Sequence, residues 1–217
     1  MAVQRAALKK DVATAMSTTI NLNGGSQAIG SDESGNTLNV NGPGSLELTS
    51  DANGSTVIGN GADITIDGYF NDGQATIDGG SLTVGHDADY ANISVTDGSV
   101  NVGWHDAKHV TANLDNSTLF IAHDSYGSVF NFQGRSTVEI GHHVTNLTFN
   151  DLGVGDKIVL GGATFNGGQF ANQVLTLTEN GAAVGELNVT LHHPHGREHF
   201  AFGVDPTTGW DYFKLVR

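Results

Sequence analysis

Ser81-Leu-Thr-Val-Gly85-His86-Asp87 returns along the chain as Ser99-Val-Asn-Val-Gly103-Trp104-His105, as Thr118-Leu-Phe-Ile-Ala122-His123-Asp124 and as Thr137-Val-Glu-Ile-Gly141-His142-His143. Between the small residues Gly85, Gly103, Ala122 and Gly141 the steps are 18, 19 and 19 residues. A fixed period of this size, carried by short alternating segments, signals stacked coils in which each repeat buries its apolar face on the next. The apolar positions alternate, as a half-buried strand requires. Leu82, Val100, Leu119 and Val138 form one inward column, and Val84, Val102, Ile121 and Ile140 a second. A further strand follows in each coil: Ile93-Ser-Val95, Ala112-Asn-Leu114, Phe130-Asn-Phe132 and Leu147-Thr-Phe149. The expected fold is therefore all-β: a narrow parallel β-solenoid of 18–19-residue coils, two strands to a coil, stacked at about 4.8 Å.

Working outward, the solenoid is expected over residues 20–153. Upstream of the repeat the strands continue as Asn36-Thr-Leu-Asn-Val40, Ser45-Leu-Glu-Leu48, Asp63-Ile-Thr-Ile66 and Ala75-Thr-Ile77, with Asn53-Gly54, Asn60-Gly61 and Asp72-Gly73 as turn pairs. Ser55-Thr-Val-Ile-Gly59 reads as an earlier copy of the motif, 26 residues before Gly85. A loop around Tyr69-Phe70-Asn71 is expected to absorb the excess. Residues 1–19 are alanine-rich and read as a short helix or disordered tail that caps the first coil. After Gly153 the repeat stops, and residues 154–217 read as a compact C-terminal β-unit. Its aromatics, among them Phe165, Phe170, Phe200, Phe202, Trp210 and Phe213, are expected to close that end of the stack.

Composition narrows the function. The formal net charge is −14 with nine Lys plus Arg, which disfavours nucleic acid and anionic membrane surfaces, since both reward clustered cations. There is no cysteine, so disulfides, thiolate catalysis and Cys-based zinc sites are excluded. The first residues lack an apolar core of signal-peptide length and no segment reads as a membrane span. Export, if it occurs, is expected to proceed without an N-terminal signal.

Leu147-Thr-Phe-Asn-Asp-Leu-Gly-Val-Gly-Asp-Lys-Ile-Val-Leu160, Gln173-Val-Leu-Thr-Leu-Thr-Glu-Asn-Gly181, Gly185-Glu-Leu-Asn-Val189 and Phe200-Ala-Phe-Gly-Val-Asp-Pro-Thr-Thr-Gly209 resemble the terminal β-unit of bacterial type I-secreted and autotransporter-like adhesins with solenoid passengers. The resemblance implies an extracellular or cell-surface role in adhesion, matrix building or filament formation, export through a C-terminal signal, and no catalysis. The partner it implies is a second copy of the chain, with cell-surface glycans as a further class.

Two constellations are chemically suggestive. In sequence register His86, Trp104, His123 and His142 form one corner column, and Asp87, His105, Asp124 and His143 run beside it. Imidazole and carboxylate stacked at coil spacing suit a transition metal such as zinc. The alternatives are a purely structural ladder and a ladder that responds to pH. No cofactor is required by either. His192-His-Pro-His195-Gly-Arg-Glu-His199 is a second histidine cluster, in irregular backbone. Calcium is the other candidate ion, because two nonapeptides make an 18-residue coil; the Gly-Gly-x-Gly-x-Asp turns of a calcium β-roll are missing, which leaves weak binding by surface aspartates such as Asp87, Asp89, Asp97 and Asp106. Asp63, Asp67, Asp72 and Asp78 occupy turn positions, so no catalytic residue is assigned. The rival reading is a carbohydrate-binding or carbohydrate-active β-helix, with Trp104, Tyr90 and Tyr126 as its sugar-stacking platform.

Overall fold

The computed structural model describes residues 18–103, 105–192, 194 and 196–217 of the chain. Of the helix or tail expected over residues 1–19, residues 1–17 lie outside the described residues, as does Trp104, and Thr19 belongs instead to the first strand. In chain order the strands are β1 (Thr19–Ile29), β2 (Thr37–Leu48), β3 (Thr56–Ile66), β4 (Gln74–Val84), β5 (Asn92–Val102), β6 (Ala107–Lys108), β7 (Thr111–Asp115), β8 (Thr118–Ile121), β9 (Ser125–Tyr126) and β10 (Val129–Gln133). They continue as β11 (Thr137–Ile140), β12 (Val144–Thr145), β13 (Thr148–Leu152), β14 (Lys157–Leu160), β15 (Gly167–Ala171), β16 (Val174–Glu179), β17 (Ala182–Leu191), β18 (His199–Val204) and β19 (Asp211–Val216).

The fold is a β-solenoid of about eight turns. Each of β1 to β5 is one long strand that bends at its middle and pairs in parallel with the next. From the sixth coil the bend becomes a break, so β7 and β8 both pair with β5, and β10 and β11 follow them in register. A third, short side is made by the parallel bridges β6, β9 and β12.

The inward columns explain why these segments stack. Leu46, Ile64, Leu82, Val100, Leu119, Val138 and Ile158 lie over one another, as do Leu48, Ile66, Val84, Val102, Ile121, Ile140 and Leu160, all essentially inaccessible to solvent. Opposite them run Leu38, Val57, Ala75, Ile93, Ala112, Phe130 and Phe149. The bends need a left-handed backbone at one residue or, as at Gly79 and Gly80, at two in succession. Gly61 and Gly79, with φ of 66° and 64°, supply it in β3 and β4, and Asp97 and Asn116, with φ of 50° and 49°, take over in later coils. These residue types tolerate that conformation at least cost.

Three details of the register differ from the sequence expectation. Ser55-Thr-Val-Ile-Gly59 belongs to the first side, because Thr56 pairs with Gln74; the true counterpart of Ser81 is Asp63. The period therefore holds at 18–19 residues from Thr19 onward, and no loop absorbs an excess at Tyr69-Phe70-Asn71. Phe70 is instead a core residue with 0% exposure, its N–H bonded to Asp87 O. At the far end Phe149, not Leu147, lies under Phe130.

The parallel ladder runs on through β14, which pairs with β11. Beyond it the chain turns antiparallel. β19 covers β14 and β18 lies outside β19. On the first side β17 runs parallel to β13 and carries the antiparallel strands β16 and β15. Phe149, Phe165, Phe200 and Phe202 gather around Phe213 or its neighbours, with ring centroids 5.8–6.3 Å apart, and fill the end of the stack. Lys157 forms an ion pair with Asp205 in the β18–β19 connection. The bond from Lys157 and the N–H groups of Thr208 and Thr207 hold the Asp205 carboxyl well below the usual carboxylate range.

Candidate functional site

The corner that follows the second side of each coil has its register fixed by the backbone. Ala88 N–H donates to Asp106 O, Ala107 N–H to Asp124 O, and Ser125 N–H to His143 O. One column accordingly reads His86, His105, His123, His142, and its neighbour reads Asp87, Asp106, Asp124, His143. The sequence count put Trp104 among the histidines and His105 beside them. The fifth coil carries one more residue at this corner, so His105 joins the histidines and Asp106 joins the carboxylates. A one-residue insertion between two similar phrases leaves no periodic signal, and only the inter-coil hydrogen bonds resolve it.

The rings stack along the corner. His86 lies 4.9 Å from both Tyr69 and His105 by ring centroid, and His123 lies 4.4 Å from His142 with 15° between planes. The carboxylates fasten one coil to the next: Asp87 accepts the Asp106 N–H at 3.1 Å, and Asp124 accepts the His143 N–H at 3.0 Å. A parallel ladder of the same kind joins Asn53 to the Asn71 N–H, Asn71 to the Asp89 N–H and Asp89 to the Lys108 N–H, each at 2.8 Å. These carboxylates and amides satisfy backbone donors where strand pairing lapses.

Asp106 departs from the pattern. Its carboxylate turns outward to Lys108 Nζ at 2.8 Å and His123 Nδ1 at 3.2 Å. Desolvation pushes its pKa up, but the hydrogen bonds from Lys108 and His123 together outweigh it and leave the group below its ordinary value. Asp124 is likewise lowered: desolvation opposes, and the Tyr126 hydroxyl at 2.6 Å together with the His143 N–H prevails.

His123, Asp124 and His142 each bring a potential ligand atom within 4.8 Å of the others. His143 Nδ1 stands 3.4 Å from Asp124 Oδ1. Beside them opens a groove of about 410 Å³, lined by Asn101, Gly103, Phe120, Ala122, His123 and His142. The Phe120 ring stacks at 6.3 Å and 7° on Trp210, which the C-terminal hairpin brings back over Gly141 and Gly161. A Cβ on Gly141 or Gly161 would first meet the carbonyl of the preceding coil, Ala122 O at 2.2 Å or Gly141 O at 2.4 Å, and then the indole at 3.2 or 2.7 Å, so the bare backbone admits both the close coil stacking and Trp210.

The other sequence-predicted residues separate from this group. His105 Nδ1 and Asp87 Oδ1 are 3.8 Å apart, a coil or more away from His142. Tyr90 is 60% exposed and stacks on His109, whereas the Tyr126 hydroxyl is occupied by Asp124. The two tyrosines stand two coils apart and make no common platform. The second histidine cluster is split: His192 lines a groove with Asp115, Asp151 and Asp156, and His199 another with Phe170, Phe200 and Phe202. His193 and His195 lie outside the described residues. The sequence does not place Phe120 or Trp210 at this corner, and it names Asp106 only as a surface aspartate outside the carboxylate column. Compared with known proteins, the chain matches no family model, no curated protein and no solved structure.

Proposed function

We propose that the chain is a non-catalytic structural and adhesive protein of the cell exterior, acting through its repeated faces and through association of its first coil with a second copy. The observation that carries this reading is β1. It spans Thr19–Ile29, and among the described residues it pairs only with β2. Among the described residues, a row of backbone donors and acceptors eleven residues long thus has no strand on its outer side, and such an edge templates pairing with another chain. Ile20 and Leu22 are half-buried against the core and offer a new coil its first apolar contacts. Gln27 and Glu33 stand in the columns that hold Leu46 and Ala52 in the next coil, so the contact is weaker than an internal coil step, which suits reversible association. The opposite end carries antiparallel hairpins, which favours β1 against β1 and a two-fold pair. Longer filaments then need lateral contacts as well. The outward faces supply chemistry for these: asparagine side chains hydrogen-bond from coil to coil at Asn21–Asn39 and Asn113–Asn131–Asn150. Repeated contacts of that kind sum over several coils.

The test is light scattering with negative-stain microscopy over a concentration series of the full chain. Concentration-dependent dimers or larger assemblies that the Ile20→Lys/Leu22→Lys chain fails to form are the expected result. A chain that stays monomeric at every concentration refutes association.

Glycan binding is a second reading, favoured by the Phe120–Trp210 platform beside Asn101 and His123. Flat apolar rings next to polar groups suit a sugar face. It predicts saturable glycan binding that Phe120→Ser removes without change in oligomeric state.

A further inference from the structure

We infer that His123, Asp124 and His142 form a binding site for a divalent transition metal of the zinc class, at the corner between the sixth and seventh coils. This goes beyond the scaffold reading and does not depend on it.

The donor set comes first. Two imidazole nitrogens and a carboxylate oxygen are a set that borderline-soft ions prefer over calcium or magnesium, which take oxygen shells. The three ligand atoms already lie within 4.8 Å of one another. A tetrahedral ion with bonds near 2.1 Å needs them about 3.4 Å apart, a closure that side-chain rotation supplies. The stack assists it, because parallel strands place His123 directly against His142 with 4.4 Å between rings.

The outer groups are arranged as a metal site requires. An ionised carboxylate can only accept, so the 3.2 Å contact to Asp106 assigns the proton of His123 to Nδ1 and leaves the lone pair on Nε2. Asp106 is itself held by Lys108. Carboxylate, imidazole and ion in that order are the usual means of fixing a ligand ring. On the other ligand, the Tyr126 hydroxyl takes Asp124 Oδ2 at 2.6 Å, while Oδ1 accepts the His143 N–H at 3.0 Å and keeps a further lone pair, 3.6 Å from His123 Nδ1 and 3.4 Å from His143 Nδ1. His143 touches only the carboxylate, its ring standing 6.3 Å from that of His142, and so stays outside the group. The neighbouring groove, bounded by Phe120 and Ala122, keeps a position on the ion open to water or an exogenous ligand. His86 and His105 make a comparable ring pair, but His105 Nδ1 is 3.8 Å from Asp87 and no third ligand converges there among the described residues.

The experiment is calorimetric titration of chelator-treated full-length protein with Zn²⁺, and in parallel Co²⁺ binding followed by visible absorption. Four chains are compared: the wild type, His123→Ala/His142→Ala, Asp106→Asn, and one in which His192, His193, His195 and His199 are all alanine. His142 is exposed and His123 half-exposed, so the fold should survive their loss, checked by circular dichroism; the single His142→Ala chain serves if it does not. The wild type and the loop variant are expected to share one equivalent of Zn²⁺ and the same Co²⁺ bands, and the corner variant to lack both. Asp106→Asn retains the stoichiometry but weakens binding by about tenfold or more. An unchanged stoichiometry in the corner variant overturns the assignment, as does a wild type that binds no ion.

Discussion

Phe70 and Gly73 make the sharpest test of how the coils pack. Phe70 has 0% exposure and stands in a column between Ala52 and Ala88, both also fully buried. One large ring thus fills the space that the alanines of adjoining coils leave. Removing it is expected to cost about 3–5 kcal/mol, the usual range for deleting a buried phenyl. Gly73 accepts that ring: a Cβ there would meet Phe70 carbons at 2.5, 2.5 and 2.7 Å, well inside the roughly 3.5–4.0 Å of ordinary carbon contact. The Gly73 backbone does not need glycine's freedom, so Gly73→Ala should cost about 1–3 kcal/mol from crowding alone. In Phe70→Ala/Gly73→Ala the added methyl enters the space the ring vacated. The double variant is therefore expected to cost less than the sum of the single variants by about 1–3 kcal/mol. Urea unfolding followed by circular dichroism and by fluorescence measures it, with the two probes required to coincide before free energies are compared. Additivity within about 0.5 kcal/mol would refute the claim that Gly73 is glycine because of Phe70.

Other expectations concern the corners and the cap. Gly80→Ala should be among the most damaging single changes, because φ is +82° and the new Cβ falls 2.2 Å from Ala62 O; Gly61→Asn, with φ +66° and open space, should shift the melting temperature little. Asp89→Ala leaves the Lys108 N–H unpaired and should cost about 1 kcal/mol. Asp89→Asn retains the acceptor, as Asn53 and Asn71 do in the same ladder, and should be nearly neutral in the same melt. Asp205 has a depressed folded pKa, so its contribution is present above the unfolded carboxylate value of about 3.9 and is lost as pH falls through the folded value. Thermal melts between pH 6 and pH 2.5 should show a steeper acid fall for the wild type than for Asp205→Asn. Equal slopes would mean that the Lys157–Asp205 pair does not couple the cap to pH. Glu139 and Asp156 act in the opposite sense, since burial raises both and protonation relieves that cost as pH falls.

The architecture is legible in the periodicity, because stacking forces identical roles onto residues 18 or 19 apart. Leu82, Val100, Leu119 and Val138 could be read as one column without coordinates. Histidines and aspartates at the following corner were legible for the same reason. What it left open was register wherever the repeat is degenerate: Ser55-Thr-Val-Ile-Gly59 and Asp63-Ile-Thr-Ile66 both alternate, and only strand pairing shows which one faces Ser81. Phe70 was misread as loop because its column is otherwise small, so no apolar pattern announces it. The extra residue in the fifth coil moved His105 and Asp106 by one column for want of any local signal. The aromatic pair beside the groove has no such signature. Trp210 reaches Phe120 across ninety positions of sequence, because a β-hairpin folds back over two glycines, and proximity of that kind leaves no period to read.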